Sequence, residues 1–223
     1  MATPKTTTKI IRTLEPLYPA KGMVDLGNPE DTLIATLLSA RTTDAQVLKV
    51  YPGLRKHFPT LQDFADANVK NIEASIASIG LYRNKAAAIQ ALAKRLLEAY
   101  KGKIPDQMED LITLPGVGRK TASCVLWYGF RKPAMAVDTH VFRIAKRLGW
   151  AKGKNPLEVE GELMSLVPRD LWGPVNRIFV QFGRDVCKPG IPQCWRCPVR
   201  DACEYKDKTL TPPPRHSERS PTQ

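Results

Sequence analysis

The sequence predicts an all-α protein, and two kinds of observation carry that prediction. Apolar residues recur at helical spacing along most of the chain, whereas the apolar–polar alternation typical of strands is essentially absent. Helix-start signals recur as well, because an asparagine precedes a proline at Asn28-Pro29 and again at Asn155-Pro156. Asparagine is a favoured helix cap and proline fits the first helical position, so each pair predicts a helix start. Short linkers between the predicted helices imply compact packing.

The first half of the chain predicts five helices after a polar, basic segment, 1–21, with little periodicity. These helices begin near positions 28, 43, 60, 72 and 83. The second should end or kink at Pro52, because proline lacks the backbone N–H that a helix interior uses. The fourth should stop at Gly80, and the fifth should span about 83–100, with Gly102 beyond it.

The second half predicts further helices on either side of a tight turn at 114–118. Asp106 is expected to cap a short helix through Ile112. The helices expected after the turn cover about 119–128 and 139–148, then start at Asn155-Pro156, and then run from Gly173-Pro174 to the first of four clustered cysteines. The proline-rich, polar tail from about Thr209 is expected to be disordered.

Size and composition exclude several classes of protein. The chain has 223 residues, of which 43% are hydrophobic and 25% charged. This length accommodates one large or two small domains, and a chain this long can bury a core without disulfides. No stretch approaches about 18 consecutive apolar residues, which excludes a membrane-spanning helix. The N-terminus lacks a secretory pattern, so we expect a cytoplasmic protein.

The net charge is strongly positive and unevenly distributed. The chain contains 34 Lys and Arg against 22 Asp and Glu, a formal net charge of +12. Residues 113–154 hold nine basic side chains and one acid, Asp138, so that window alone carries +8. One interpretation is a solvated basic surface. Clustered Lys and Arg are also the usual electrostatic footprint of nucleic-acid binding.

Four of the five cysteines lie within 17 residues near the C-terminus, as C-x6-C-x2-C-x5-C. They are Cys187, Cys194, Cys197 and Cys203. A disulfide framework is unusual in a chain without an export signal, so the spacing favours one four-thiolate metal site over a coincidental cluster. Zinc and iron–sulfur clusters both accept four thiolates, so spacing leaves the metal open. Cys124 stands alone in an apolar run and is expected to be a small core residue.

The turn Leu114-Pro115-Gly116-Val117-Gly118 joins two predicted helices inside the basic window. Glycine lets the backbone approach a partner closely, and the amides of the following helix start form an anion site suited to a DNA phosphate. Lys120 lies in the first turn of that helix beside Arg119. The positive end of the helix dipole and the charge of Arg119 both oppose protonation of Lys120. Such surroundings can lower a lysine pKa and leave a free amine for nucleophilic attack. A lysine that contacts phosphate is the alternative interpretation.

Asp138 is the lone acid of the basic window, and Thr139 and His140 follow it. One interpretation is an N-cap for the helix over 139–148. The other is a carboxylate near Lys120 that handles protons and stabilises positive charge. A lone histidine such as His140 is more often structural than functional.

These motifs together carry a family resemblance. Leu114-Pro-Gly-Val-Gly-Arg-Lys120, Ala136-Val-Asp138-Thr-His140 and the cysteine spacing occur in that order, and the chain resembles the endonuclease III family of the helix-hairpin-helix DNA glycosylase superfamily. The resemblance covers about Leu14 to Tyr205. It implies two α-helical domains with double-stranded DNA bound in the cleft between them. The implied divisions are a six-helix barrel over 28–131 ending in the hairpin, a cluster domain formed by 1–27 with 132–207, and a disordered tail over 208–223.

The resemblance also implies roles for individual residues. Lys120 matches the family's nucleophile, and Asp138 matches its catalytic aspartate. The four clustered cysteines match the ligands of a 4Fe–4S cluster, and Leu81 matches the apolar residue that wedges into the base stack. Arg41 is a departure, because the family usually has glutamine there to fill the gap left by the flipped nucleotide. The residues expected to contact DNA are Leu114, Gly116, Val117, Gly118, Arg119, Leu81, Arg41, His140, Arg143, Lys188, Arg196 and Arg200.

The implied activity is removal of oxidised pyrimidines by a bifunctional glycosylase. Its lysine would form an imine with the sugar and cut the strand 3′ to the abasic site by β-elimination. A monofunctional mismatch-specific glycosylase is one alternative, and Lys120 argues against it. A non-catalytic DNA-binding protein is another, and the presence of both Lys120 and Asp138 argues against that. We expect a nucleoid-associated monomer, because a continuous DNA-binding cleft needs no symmetry mate.

Overall fold

The computed structural model of the protein describes residues 2–19 and 26–212, and within them the predicted all-α fold is confirmed. Eleven α-helices lie in these residues: α1 (Pro4–Leu14), α2 (Pro29–Ser39), α3 (Asp44–His57), α4 (Leu61–Asp66), α5 (Val69–Ser75), α6 (Tyr82–Tyr100), α7 (Met108–Leu111), α8 (Arg119–Cys124), α9 (Thr139–Arg147), α10 (Pro156–Leu166) and α11 (Trp172–Asp185). A π-helical turn, Val125–Gly129, follows α8 directly. This described part contains no strand, and none of its helices is long and apolar enough to cross a membrane.

The predicted helix starts follow from side-chain capping. Asn28 Oδ1 accepts a hydrogen bond from the Asp31 amide at 2.8 Å at the start of α2. Asn155 Oδ1 does the same for the Glu158 amide, at 3.0 Å, at the start of α10. In both helices proline occupies the first position, where its missing N–H costs nothing. The asparagine–proline signals are therefore confirmed as helix starts.

Helix α1 was not predicted. Its sequence contains four threonines, which have low helix propensity and obscure the pattern. A capping box offsets this, because the Thr3 and Thr6 side chains each accept a hydrogen bond from the other residue's amide. Burial of Ile10, Ile11 and Leu14 then fixes the helix against the rest of the molecule.

Several predicted helix ends are wrong. Helix α3 runs through Pro52 to His57, because the buried face of Tyr51 and Leu54 continues past the proline. Helix α5 ends at Ser75, before the predicted stop at Gly80, and irregular turns cover the interval.

Two further boundaries differ for local reasons. Asp106 does not cap α7, since its carboxylate accepts a hydrogen bond from Lys132 Nζ at 2.5 Å and Gln107 occupies the cap position. The helix expected over 119–128 changes to π-helical geometry after Cys124. Helix α11 begins at Trp172 and ends at Asp185, just before the first clustered cysteine.

The buried side chains form two main hydrophobic cores. The first draws on residues between Leu33 and Ala134, with Phe58 and Phe64 stacked at a ring-centroid distance of 5.0 Å. The second combines Ile10 to Tyr18 with residues between Met135 and Val199. Two cores divided in this way support the predicted two-domain organisation, whose boundaries stay a prediction. Of the predicted disordered tail, residues 208–212 are non-helical and 213–223 lie outside the described residues.

Candidate active site

An open pocket of about 510 Å³ lies between elements that belong to the two cores. Its size falls within the range of small-ligand and nucleotide sites. From the first core it takes the end of α2, the loop 40–43 and the start of α8. From the second it takes the start of α9 and one face of α11. The chemically active side chains in its lining are Arg41, Asp44, Lys120, Asp138, His140 and Arg184.

Lys120 is the second residue of α8 and is largely buried in this pocket. Its pKa is raised above the usual 10.5, first by its contact with Cys124 one helical turn away, and then by the carboxylates of Asp138 and Asp44. Burial opposes this rise but does not outweigh it. The expectation of a lowered pKa is therefore wrong, because it counted the neighbouring bases and missed the anionic groups that the fold brings to Lys120. At neutral pH the side chain of Lys120 is therefore an ammonium.

Asp138 caps α9, as one of its two interpretations predicted. Its Oδ1 accepts hydrogen bonds from the His140 and Val141 amides, both at 2.9 Å. Its Oδ2 receives no hydrogen bond from the described residues, and the side chain lines the same pocket as Lys120. The cap thus holds one carboxylate oxygen in place and leaves the other available to a pocket ligand.

The pocket contains groups that sequence reasoning did not single out as site residues. Asp44 lies in the first turn of α3, and burial raises its pKa although Lys120 and Arg184 both oppose the rise. Asn176 is buried and donates to Ala136 O at 2.9 Å, which ties α11 to the segment leading to Asp138. Helical periodicity assigned none of them to a site, because their neighbours in the pocket are remote in sequence.

The hairpin turn divides its residues between core and surface. The side chains of Leu114 and Val117 are buried in the first core, so only their backbone atoms are available to DNA. Gly116 adopts a left-handed φ of 76°, which the turn requires, whereas Gly118 has an ordinary φ of −96°. The N–H groups of Gly118, Arg119 and Lys120 have no acceptor within the described parts of the chain. They are the exposed amides that the sequence predicted.

Four of the predicted DNA contacts have guanidinium groups that the protein itself engages. Arg119 forms a two-point ion pair with Glu160 of α10, with N–O distances of 3.2 and 2.6 Å. Arg143 donates to Cys187 O and Gly183 O. The other two arginines pair with neighbouring carboxylates: Arg196 with Asp185, and Arg200 with Asp201. A DNA contact by any of these side chains has to compete with those bonds.

The remaining predicted contacts lie in three places. His140 lines the pocket, with Nδ1 3.2 Å from Arg143 Nη2, and burial lowers its pKa. Arg41 lies at the pocket in the loop 40–43, and Leu81 is half exposed at the start of α6. Lys188 lies in the cysteine loop, where its carbonyl accepts a hydrogen bond from Arg147 at 2.6 Å.

All four clustered cysteines line one largely apolar cavity between α9, the end of α11 and the C-terminal loop. They are free thiols, and burial raises the pKa of Cys197 to about 11. Arg147 stabilises the loop, because it donates hydrogen bonds to Cys187 Sγ at 3.4 Å and to the carbonyl oxygens of Lys188 and Pro189. No three His, Cys, Asp or Glu side chains in the described residues are grouped to hold a single metal ion. Four thiols around one cavity are a donor set that either zinc or an iron–sulfur cluster accepts.

Comparison with known proteins identifies the family. The model of the HhH-GPD superfamily of base excision DNA repair proteins matches residues 34–169. The endonuclease III of Thermotoga maritima is 47% identical over 178 residues, which cover 80% of this chain and 84% of that protein. This chain belongs to the endonuclease III family. The endonuclease III of Escherichia coli is 38% identical over 185 residues, covering 83% of this chain and 88% of its own.

Solved structures agree with membership of the endonuclease III family. A trapped covalent intermediate of an endonuclease III with DNA superposes with a TM-score of 0.82 at 40% identity, covering 91% of this chain and 96% of the other. A thermostable thymine-DNA glycosylase superposes with a TM-score of 0.81 at 24% identity, which shows a shared fold. The family resemblance read from the motifs is thereby confirmed.

Proposed function

We propose that this protein is a base excision repair DNA glycosylase with abasic-site lyase activity that acts on damaged pyrimidines. The observation that carries the proposal is a single pocket containing both Lys120 and Asp138, in a chain of the endonuclease III family. An amine and a carboxylate in one nucleotide-sized pocket are the two groups that imine chemistry at a sugar carbon needs. The relatives named above are endonucleases III, and a solved structure of an endonuclease III is a trapped covalent intermediate with DNA.

In the proposed reaction the damaged nucleotide leaves the base stack and enters the pocket, since its sugar is unreachable inside a duplex. Lys120 Nζ attacks C1′, the bond from C1′ to the base breaks, and the base leaves with a proton. The C1′–O4′ bond then breaks and O4′ takes up a proton, which opens the sugar ring and gives a protonated imine that makes the C2′ proton acidic. Removal of that proton breaks the C3′–O bond and cuts the strand on the 3′ side.

Asp138 and Asp44 supply the proton handling that this sequence requires. Both carboxylates stabilise Lys120 as an ammonium in the free protein, so the nucleophile has to lose a proton before it attacks. Asp138 Oδ2, unpaired among the described residues, is the acceptor that we assign to this step. Transfer of that proton to the departing base restores the carboxylate charge, which stabilises the positive sugar carbon.

The proposed DNA-binding surface is the cleft between the two helical domains. Exposed amides at the start of α8 donate hydrogen bonds to a phosphate, and Leu81 inserts into the base stack as the nucleotide leaves. Arg41 stands at the pocket, where its guanidinium can fill the vacated space and hydrogen-bond to the opposite base. In this proposal the protein acts as a monomer, and its partner is duplex DNA that contains a damaged base or an abasic site.

Cys187, Cys194, Cys197 and Cys203 are the proposed ligands of a 4Fe–4S cluster. Their free, half-buried thiols surround one apolar cavity, and an iron cluster would compensate the cost of burying thiolates there. The cluster would supply a structural clamp that fixes the loop carrying Lys188, Arg196 and Arg200. Visible absorption and iron analysis of fresh protein measure it, and zinc in place of iron would contradict this assignment.

Borohydride trapping tests the proposed function directly. Incubation of the wild type with a duplex containing one thymine glycol or one abasic site should give a covalent protein–DNA adduct and a nicked strand. Lys120→Ala should abolish both products while leaving DNA binding measurable. Base release without nicking would instead indicate a monofunctional glycosylase, and binding without either product a non-catalytic protein. Undiminished trapping by Lys120→Ala would overturn the assignment of the nucleophile.

A further inference from the structure

Lys85 of α6 is a buried cation outside the pocket, and it has no carboxylate partner in the described residues. Its side chain is 5% exposed. Its Nζ donates to Leu38 O at 2.8 Å and to Thr42 Oγ1 at 3.0 Å. Burying an ammonium without a counter-ion costs free energy, and a lysine stem is long enough to reach solvent when nothing holds its head group. The two acceptors therefore retain this side chain.

The first acceptor belongs to the C-terminus of α2. The other three terminal carbonyls of that helix are satisfied locally, by the Ser39 hydroxyl, the Ala40 amide and the Thr42 amide. Only Leu38 O depends on a residue remote in sequence, and a cation is favoured at this negative end of the helix. Lys85 thus ties α6 to the end of α2, where the loop 40–43 begins.

The second acceptor, Thr42, lies in that loop, which packs directly on the turn at 80–81. A Cβ built on Gly80 would lie 3.3 Å from Arg41 O and 3.5 Å from Thr42 Oγ1, so the two segments touch through their backbones. A further hydrogen bond joins the same two regions, from Gln46 Nε2 to Ser78 Oγ at 2.9 Å.

Each of these two segments carries a non-glycine residue with a left-handed backbone. Arg41 has a φ of 54° and Leu81 a φ of 60°, and they are two of only four such residues in the described chain. This conformation is unfavourable for side chains larger than glycine and persists only where the surroundings enforce it. Arg41 lines the pocket and Leu81 is 51% exposed. The two residues held in a left-handed conformation are therefore accessible to a ligand.

We propose that Lys85 is a positioning residue that locks the loop 40–43 against the turn 80–81, so that Arg41 and Leu81 meet DNA as one rigid unit. The inference rests on the proposed function and extends it to a side chain that touches neither DNA nor the reacting atoms. A preorganised pair can enter the duplex as the nucleotide leaves, whereas a loose pair has to be ordered first. Loss of Lys85 should therefore slow extrusion of a stacked base more than chemistry at a site that has no base.

The test compares Lys85→Met with the wild type on two duplexes, one with a thymine glycol opposite adenine and one with a preformed abasic site. Single-turnover rates of base release and of strand cleavage are measured. We expect Lys85→Met to slow base release about tenfold, and to slow cleavage at the abasic site by less than about twofold. Lys94→Met is the matched control, because Lys94 lies exposed on the same helix, and its rates should equal those of the wild type.

A second variant keeps the test valid if Lys85→Met does not fold. Thr42→Val keeps the bond to Leu38 O and removes the loop acceptor alone, and it should show the same preferential slowing of base release. Equal slowing on both duplexes, or no slowing in either variant, overturns the role of Lys85 while the proposed function stands. Absence of base release and of borohydride trapping in the wild type overturns the proposed function, and this inference with it.

Discussion

Asp138 caps α9, and the chemical role that we propose for it can be separated from this structural one. Asparagine caps helices as well as aspartate does, so Asp138→Asn should keep the hydrogen bonds to the His140 and Val141 amides. It removes the charge and the proton acceptor. We expect single-turnover cleavage at an abasic site to fall by about 100-fold or more, with the free energy of unfolding in urea changed by less than about 0.5 kcal/mol.

Asp138→Ala serves as the comparison, because it removes the cap together with the charge. It should lose about 1 kcal/mol of stability in the same urea titration. Equal stability of the alanine and asparagine variants would contradict the capping role. Full activity of the asparagine variant would contradict the catalytic one.

Cys124 sets a pH dependence that follows from its position one turn after Lys120. Its contact is the largest cause of the raised pKa of Lys120, so the ammonium persists above the usual 10.5 and the free amine becomes more abundant as pH rises. Cys124→Ala removes that contribution, and the pKa of Lys120 should fall. The pH profile of single-turnover cleavage at an abasic site should therefore shift toward lower pH. Profiles that coincide from pH 6.5 to 9.5 would show that Cys124 does not influence the nucleophile.

At the scale of elements, the hairpin turn offers a matched pair of glycines. Gly116 has a φ of 76°, and a Cβ there would lie 3.1 Å from Leu37 Cδ1, whereas Gly118 has open space around it and a φ of −96°. Gly116→Ala should lower the free energy of unfolding by about 1–2 kcal/mol, because backbone strain and contact with Leu37 add. Gly118→Ala should change it by less than about 0.5 kcal/mol. Equal losses would mean that the turn does not depend on a left-handed residue at position 116.

Most helix starts were predictable from sequence and several helix ends were not, for physical reasons. A start depends on local chemistry, such as the Asn28 and Asn155 side chains that bond amides three residues away. An end depends on packing that local sequence does not contain. Helix α3 passes Pro52 because its buried face continues, and α8 turns π-helical within an unbroken apolar run.

At the scale of the whole molecule, the sequence located the proposed nucleophile and the proposed catalytic aspartate but not the charges that surround them. The three motifs identified Lys120, Asp138 and the cysteine loop because each is contiguous. Asp44 reaches Lys120 only because the fold brings the starts of α3 and α8 to the same pocket, and it adds to the rise in the pKa of Lys120 that Cys124 and Asp138 cause. Two bases of the +8 window are also offset from outside it, Arg119 by Glu160 and Lys132 by Asp106. The field at the proposed DNA surface is therefore weaker than the formal charge implies.

The Arg119–Glu160 ion pair joins α8 of the first core to α10 of the second, and it predicts a specific stability effect. The Glu160 side chain is 9% exposed and would remain buried without a partner in Arg119→Met. Because the arginine itself is 41% exposed and solvent screens it, we expect a loss of about 1–3 kcal/mol in urea unfolding.

The double variant Arg119→Met with Glu160→Leu removes both charges and should recover most of that loss, as the coupling term of a double-mutant cycle measures. The salt dependence of DNA binding distinguishes this role from a phosphate contact. If Arg119 is engaged by Glu160 and does not contact phosphate, its replacement leaves the slope of log K for DNA binding against log salt concentration unchanged. Loss of a phosphate contact would instead reduce that slope by about 0.9, and such a reduction in Arg119→Met would show that DNA displaces the ion pair.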